Sequence, residues 1–376
     1  MTRRAFLSRG MVCGGATLGV PAILRGRFSL YGQSRKTYSA RTIEVIGRAA
    51  VLDMLGLLTL DWAKLDSWQQ RPSSFTQADF LRLKQSGINV FHPAVEPNLP
   101  DPFLGAQSWI GGWNEMISQH PAYLLRVDTP SGIARARHEQ KIGIVIGFQN
   151  SDHFRNKQDV AFFHRAGQRV SQLTYNSRNA LGSGCVEPFD RGLSPFGGEI
   201  ITEMNRTGMA VDISHAGERT ALDAVSASRV PVMISHANCR SLVPHHPRCV
   251  SDELIQAMAA KGGVIGITDV PSFVWYRRPV TIDHLLDHYE HVARLVGVEH
   301  VGIGSDSDLD GFNPKRPGSN PHAISGLNLA SRIFDVTEGL FRRGYSEKHL
   351  ELILGGNFAR VLGSVWHDNE PVQASA

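Results

Sequence analysis

Val211-Asp212-Ile213-Ser214-His215 and Val232-Met233-Ile234-Ser235-His236 are two apolar runs of strand length, each ending in Ser-His. Each is followed by a stretch with helical spacing, 218–227 and 252–261. In a β/α protein the C-terminal ends of the strands form the face that carries the chemistry. Two imidazoles on neighbouring strand ends can converge on one metal ion. A lone histidine there would more simply cap a buried strand by hydrogen bonding. The same pattern twice, in register, points to a metal-binding or catalytic pair.

Outward from these two strands the pattern repeats. Apolar, β-branched runs lie at 50–55, 88–95, 142–148, 170–175, 209–214, 230–236, 263–268 and 300–306. Helix-period segments at 76–86, 129–140, 159–167, 218–227, 252–261 and 282–296 separate most of them. Alternating strand and helix implies parallel strands joined by crossovers. Eight such units, with strands apolar on both faces, predict an α/β fold of the (β/α)8 TIM-barrel type. The tail 327–362 predicts extra C-terminal helices, one of them starting at Ser346-Glu347 and ending at Gly355-Gly356. A doubly wound sheet is the alternative architecture, weakened because no glycine-rich phosphate loop follows the first strand. The Pro-, Gly- and Trp-rich stretch 97–121 and the stretch 181–195 follow predicted strands and are expected to be lids over the active face. A further long loop is expected at 308–321.

The chain has 376 residues, 42% apolar and 20% charged, as in a soluble globular protein. A net charge of +4 with no basic block argues against nucleic-acid binding. The N-terminal Thr2-Arg3-Arg4-Ala5-Phe6-Leu7 resembles a twin-arginine export signal. The stretch 11–24 behind it is too short and glycine-rich for a stable membrane span. The expected division is a signal segment over 1–35 and one barrel domain over 36–376, located in the periplasm or outside the cell. Cys13, Cys185, Cys239 and Cys249 form no C-x-x-C pair. A Cys239–Cys249 disulfide and free thiols are both compatible with the sequence.

Reading only the strand ends gives a compact polar set. It holds Asp53; His92 and Glu96; Gln149, Asn150, Asp152 and His153; Tyr175, Asn176 and Arg178; His215; His236; and Asp306 and Asp308. Several His and Asp side chains on one barrel rim point to a metal-dependent hydrolase. Zinc suits imidazole and carboxylate ligands. Asp306 is the best general base, because it can take a proton from a metal-activated water. Asp152 and Asp308 read equally well as helix caps, and His245 and His246 as solvated loop residues.

The stretches 172–176, 208–215, 235–238 and 300–306, with Gly356-Asn357-Phe358-Ala359-Arg360-Val361-Leu362, resemble the membrane (renal) dipeptidase family, peptidase family M19. The resemblance runs from about 50 to 362. It implies a (β/α)8 barrel with two glutamate-bridged zinc ions, hydrolysing dipeptides and related small amides. By that resemblance His215 and His236 match the histidines of the second zinc and Asp306 the catalytic aspartate. Arg248 matches an arginine that holds the substrate carboxylate. Tyr175 falls where many members have a histidine that stabilises the tetrahedral intermediate, a role a phenol can fill. Asn176 beside it is a further candidate substrate contact.

Two departures are specific to this chain. The family's first strand reads Asp-x-His-x-Asp, and here it is Asp53-Met54-Leu55-Gly56-Leu57. The bridging glutamate is Gln149, whose neutral amide is a poor zinc ligand. At most one zinc is therefore expected, on His215 and His236, with His92 and Gln149 as further candidate ligands. The expected activity is amide hydrolysis of a dipeptide or similar small molecule. The alternatives are a divergent barrel enzyme of lyase or cyclase type and a non-catalytic exported binding protein. A homodimer is compatible with the sequence.

Overall fold

The structure is a computed structural model that describes residues 26–30, 36–97, 100–311 and 323–366. The twin-arginine stretch lies outside the described residues, as does most of the predicted 308–321 loop. Eight strands form the frame: β1 Leu52–Asp53, β2 Val90–Phe91, β3 in two pieces Ile142–Ile144 and Ile146–Phe148, β4 Gln168–Gln172, β5 Ala210–Asp212, β6 Met233–Cys239, β7 Val264–Ile267 and β8 Val301–Ile303. They pair in chain order and always in parallel. Met54 N donates to Ile303 O at 2.9 Å and Asp306 N to Leu55 O at 2.8 Å, so β8 returns to β1 and the sheet closes. The fold is the expected (β/α)8 barrel with added C-terminal helices.

Local chemistry sets where the helices start. Thr76, Asn156, Ser251 and Thr281 each accept a backbone N–H at the head of the helix that follows. The last helix, Asn357–Val365, closes the barrel floor. Phe358, Val361 and Leu362 pack against Leu52, Val90, Val170, Met233 and Val264. Asn357 Nδ2 donates to Val298 O and Val301 O, both at 2.8 Å. Gly302 leaves room for the floor, since a Cβ there would sit 2.3 Å from the Phe358 ring.

One expectation changes, and one open alternative is decided. The stretch 97–121 is no lid: it holds the 18-residue helix Pro102–Gln119, capped by Asp101 with Pro102 in its first turn. Gly112 serves close helix packing, because a Cβ there would lie 2.6 Å from Gln69 of the helix Trp62–Gln70. The disulfide is not formed; Cys185, Cys239 and Cys249 are free thiols. Cys239 Sγ faces His288 O and Cys249 Sγ faces Phe273 O. Among the described residues no helix is long and apolar enough to cross a membrane.

Candidate metal and substrate site

The Ser-His pairs stand where β5 ends and within β6, at the C-terminal mouth. Asp212 holds both in register. Its Oδ1 accepts Ser214 N at 3.0 Å, Ser214 Oγ at 2.5 Å and Ser235 N at 3.1 Å, and its Oδ2 accepts Ser235 Oγ at 2.5 Å. The imidazoles thereby converge, with His215 Nε2 and His236 Nε2 3.0 Å apart. Asn176 Oδ1 can only accept, so His215 Nδ1 at 2.9 Å carries the proton and leaves Nε2 as a lone pair. Burial pushes both imidazoles well below the usual histidine range, and the Arg248 charge adds to it. Neutral imidazole is the metal-binding form.

Around the pair lie the other residues singled out by the sequence. The Tyr175 ring stacks on His215 at 4.2 Å between centroids. Burial, with Asp306 nearby, raises its phenol further, so it stays a hydrogen-bond donor. Arg248 is 4% exposed, donates to Ser214 O and to His236 O, and buries its Nε without a partner. Among the described residues no carboxylate lies within ion-pair distance of it. A buried guanidinium that makes no ion pair favours an anionic ligand. Asp306 takes a left-handed backbone (φ 56°) at the end of β8. Its carboxyl is pushed up to about 7, chiefly by burial, against the opposing charge of Arg248.

The remaining candidates are placed elsewhere. The backbone N–H of His92 still bonds Asp53 O at 3.1 Å, so it belongs to the barrel interior rather than the rim. Its Nδ1 donates to Met54 O at 2.8 Å and turns Nε2 against Gly147, where a Cβ would lie 2.3 Å away. His92 is near enough to act on His236 electrostatically, but its Nε2 is buried without a partner and makes no hydrogen bond to the pair. Among the described residues no group of three or more His, Cys, Asp or Glu side chains is arranged to hold a metal. Gln149 Nε2 donates to Ala94 O at 3.0 Å, its amide engaged with the chain between β2 and β3. Asp53 accepts Ser305 N, Ser305 Oγ and Arg332 Nη2, and so locks β1 to β8. Asp308 accepts Leu60 N, Asp310 N and Gly311 N in a turn, and Asn150 bridges Glu96 and Asp152. The His246 ring packs on Phe273 rather than standing in solvent alone.

These donors decide which metal complement fits. A bridged pair of ions does not: Leu55 and Leu57 are packed in the core at 0% and 5% exposure, and Gln149 offers no charge. A single ion does fit the imidazole pair. The 3.0 Å between the two Nε2 atoms is near the roughly 3.3 Å spacing of two nitrogens on one tetrahedral zinc.

The segment after β4 borders the mouth. Cys185 N donates to His215 O at 2.8 Å and Gly217 N to Ser183 O at 2.9 Å, so the predicted 181–195 lid is tied to the His215 turn.

A closed (β/α)8 barrel with paired imidazoles, an aspartate and a buried arginine at its C-terminal mouth is the architecture of a barrel hydrolase. The family model described as membrane dipeptidase (peptidase family M19) matches residues 47–376, and the chain belongs to that family. It is 32% identical over 238 residues to the dipeptidase tcpJ of Claviceps purpurea, covering 62% of this chain and 53% of that protein. It is 32% identical over 264 residues to the dipeptidase aclJ of Aspergillus oryzae, covering 68% and 59%. The match thus spans between half and three-fifths of these curated relatives' length. An amidohydrolase structure from Pseudomonas aeruginosa superposes with a TM-score of 0.73 at 27% identity, covering 86% of this chain and 99% of that one. A metallo peptidase from Rhodobacter sphaeroides, liganded with a phosphinate mimic of the dipeptide L-Ala-D-Ala, has the same fold (TM-score 0.69, 18% identity, 84% and 99% covered).

Asp212 was visible in the sequence, but its service to both Ser-His pairs was not. The signal was the serine preceding each histidine. Asp269, buried just past β7, carried the strand-end signal as well, one residue beyond the predicted run 263–268.

Proposed function

We propose that this chain hydrolyses the amide bond of dipeptides or similar small amides with a free carboxylate, using one zinc ion held by His215 and His236, outside the cytoplasm after twin-arginine export. The observation that carries this reading is the buried, unpaired guanidinium of Arg248, bonded to the backbone of both histidine turns. It anchors the substrate carboxylate and so fixes where the amide lies relative to the pair. Zinc, when bound, supplies Lewis-acid polarisation and acidity for the attacking water. Asp306, its carboxyl at about 7, takes the proton of that water and passes it to the departing amine. The Tyr175 phenol, protonated across the working range, donates to the oxygen that gains charge. The family membership and the dipeptidase relatives support the reaction class.

The test is amine release by the purified chain from a dipeptide panel and the matching C-terminal amides, with and without added zinc. Zinc-dependent turnover of the dipeptides is expected. Arg248→Met should lower their kcat/KM about 100-fold and the slow rate on the amides far less. Zinc binding without turnover favours lyase or cyclase chemistry, a reading that the missing ligands at Leu55 and Leu57 motivate. Neither zinc binding nor turnover leaves a binding protein.

A further inference from the structure

We propose that Asp212 is a positioning residue that sets the tautomer of His236 through Ser235. The two Asp212 oxygens are not equivalent. Oδ1 accepts two backbone N–H groups, from Ser214 and Ser235, together with the Ser214 hydroxyl. Oδ2 accepts the Ser235 hydroxyl alone, at 2.5 Å. A carboxylate only accepts, so the Ser235 proton is committed to Asp212. Ser235 Oγ must then accept from His236 Nδ1 at 2.8 Å, since its third neighbour, Ser214 Oγ at 3.1 Å, has its own proton on Asp212 Oδ1. The proton of His236 is held on Nδ1, and its Nε2 is a bare lone pair facing that of His215. Asn176 does the same for His215 directly. Two lone pairs 3.0 Å apart make no hydrogen bond, and a cation between them relieves the repulsion. Asp212 thus makes the pair a receptor for a cation rather than a hydrogen-bonded dyad.

The inequivalence of the oxygens makes the inference sharp. In Asp212→Asn the carbonyl oxygen must stay at the Oδ1 position to meet two backbone donors. The amide nitrogen therefore falls at the Oδ2 position and donates to Ser235 Oγ. Ser235 then donates to the nearer of its two remaining acceptors, His236 Nδ1 at 2.8 Å rather than Ser214 Oγ at 3.1 Å, which moves the imidazole proton to Nε2 and fills the metal-facing lone pair. A near-isosteric change inverts the site through a side chain that touches no ligand.

The inference deepens the metal reading above and rests on it for its zinc arm only. The experiment records long-range proton–nitrogen correlations of 15N-histidine in the metal-free chain, and zinc affinity by chelator competition. The wild type should show His236 as the Nδ1–H tautomer. Asp212→Asn should show it as Nε2–H and lose zinc by more than 100-fold. Ser235→Ala removes the fixing acceptor without supplying a donor, so its tautomers mix and zinc weakens by about 10–100-fold. Adding Ser235→Ala to Asp212→Asn should restore zinc binding to the level of Ser235→Ala alone, which a purely structural role would not do. A His236 that stays Nδ1–H in Asp212→Asn overturns the inference. Should that variant not fold, a pure Nδ1–H His236 in Ser235→Ala overturns it equally. An inverted tautomer with unchanged zinc affinity upholds the positioning role and overturns the metal reading instead.

Discussion

Arg332 Nη2 lies 2.8 Å from Asp53 Oδ2, and the two side chains are 3% and 0% exposed. The ion pair joins the first barrel strand to the helix Arg332–Arg342, across the seam where the sheet closes. Removing one partner leaves a charge buried alone, which costs about 3–5 kcal/mol. Arg332→Met should lower the unfolding free energy by that amount in a denaturant titration. Arg332→Met with Asp53→Leu should recover much of the loss, because neither partner of the pair is then left as a lone buried charge.

The metal content follows from the donors. The purified chain equilibrated with zinc should hold no more than one ion per molecule by elemental analysis. His215→Ala or His236→Ala should remove it, since each takes away half of the imidazole pair.

Asp269 governs a pH dependence of stability. Its backbone N–H bonds Ser305 O, its Oδ2 accepts Ser307 Oγ at 3.4 Å, and its Oδ1 is buried without a partner. Burial pushes the carboxyl up from 3.8 to about 7. Between these values the folded state holds a proton that the unfolded state has released. Stability therefore falls as pH rises through that window and levels off above it. The slope from this one group reaches at most about 1.4 kcal/mol per pH unit. Asp269→Asn should show a flatter profile of unfolding free energy from pH 4 to 7 than the wild type. Parallel profiles would refute the assignment.

Export is tested on the precursor. Replacing Arg3 and Arg4 by Lys should leave the full chain in the cytoplasm of a bacterial host, read by fractionation. The wild-type chain should be exported.

The barrel was legible because buried parallel strands write themselves as apolar runs and the helices between them carry capped starts. All eight predicted runs overlap the observed strands and six contain them outright; β4 starts two residues earlier and β6 ends three residues later than predicted. The helix Pro102–Gln119 was missed because its glycines and prolines look like punctuation. Pro102 sits where a helix tolerates it, and Gly112 lets a neighbouring helix approach. The His215 and His236 pair was legible from repetition. The position of His92 was not, because a strand's last hydrogen-bonded residue and the first residue of its rim read alike in sequence. Asp212 lies in the plainest motif of the chain, yet what it does depends on a serine from another strand.

Leu55 and Leu57 close one route of change. Both lie inside the packed barrel mouth, where the family's first strand carries histidine and aspartate. A lone Leu57→Asp would put a carboxylate among apolar neighbours with no cation to meet it, and a lone Leu55→His would bury an imidazole with no partner. Gln149→Glu alone would add a charge with nothing to bridge. Each single step toward a second metal is a loss, and only the three together would be a gain. The three positions are thus coupled on this core: a second ion would need a histidine, an aspartate and a glutamate arriving together, and the packed Leu55 and Leu57 act as a lock rather than as filler.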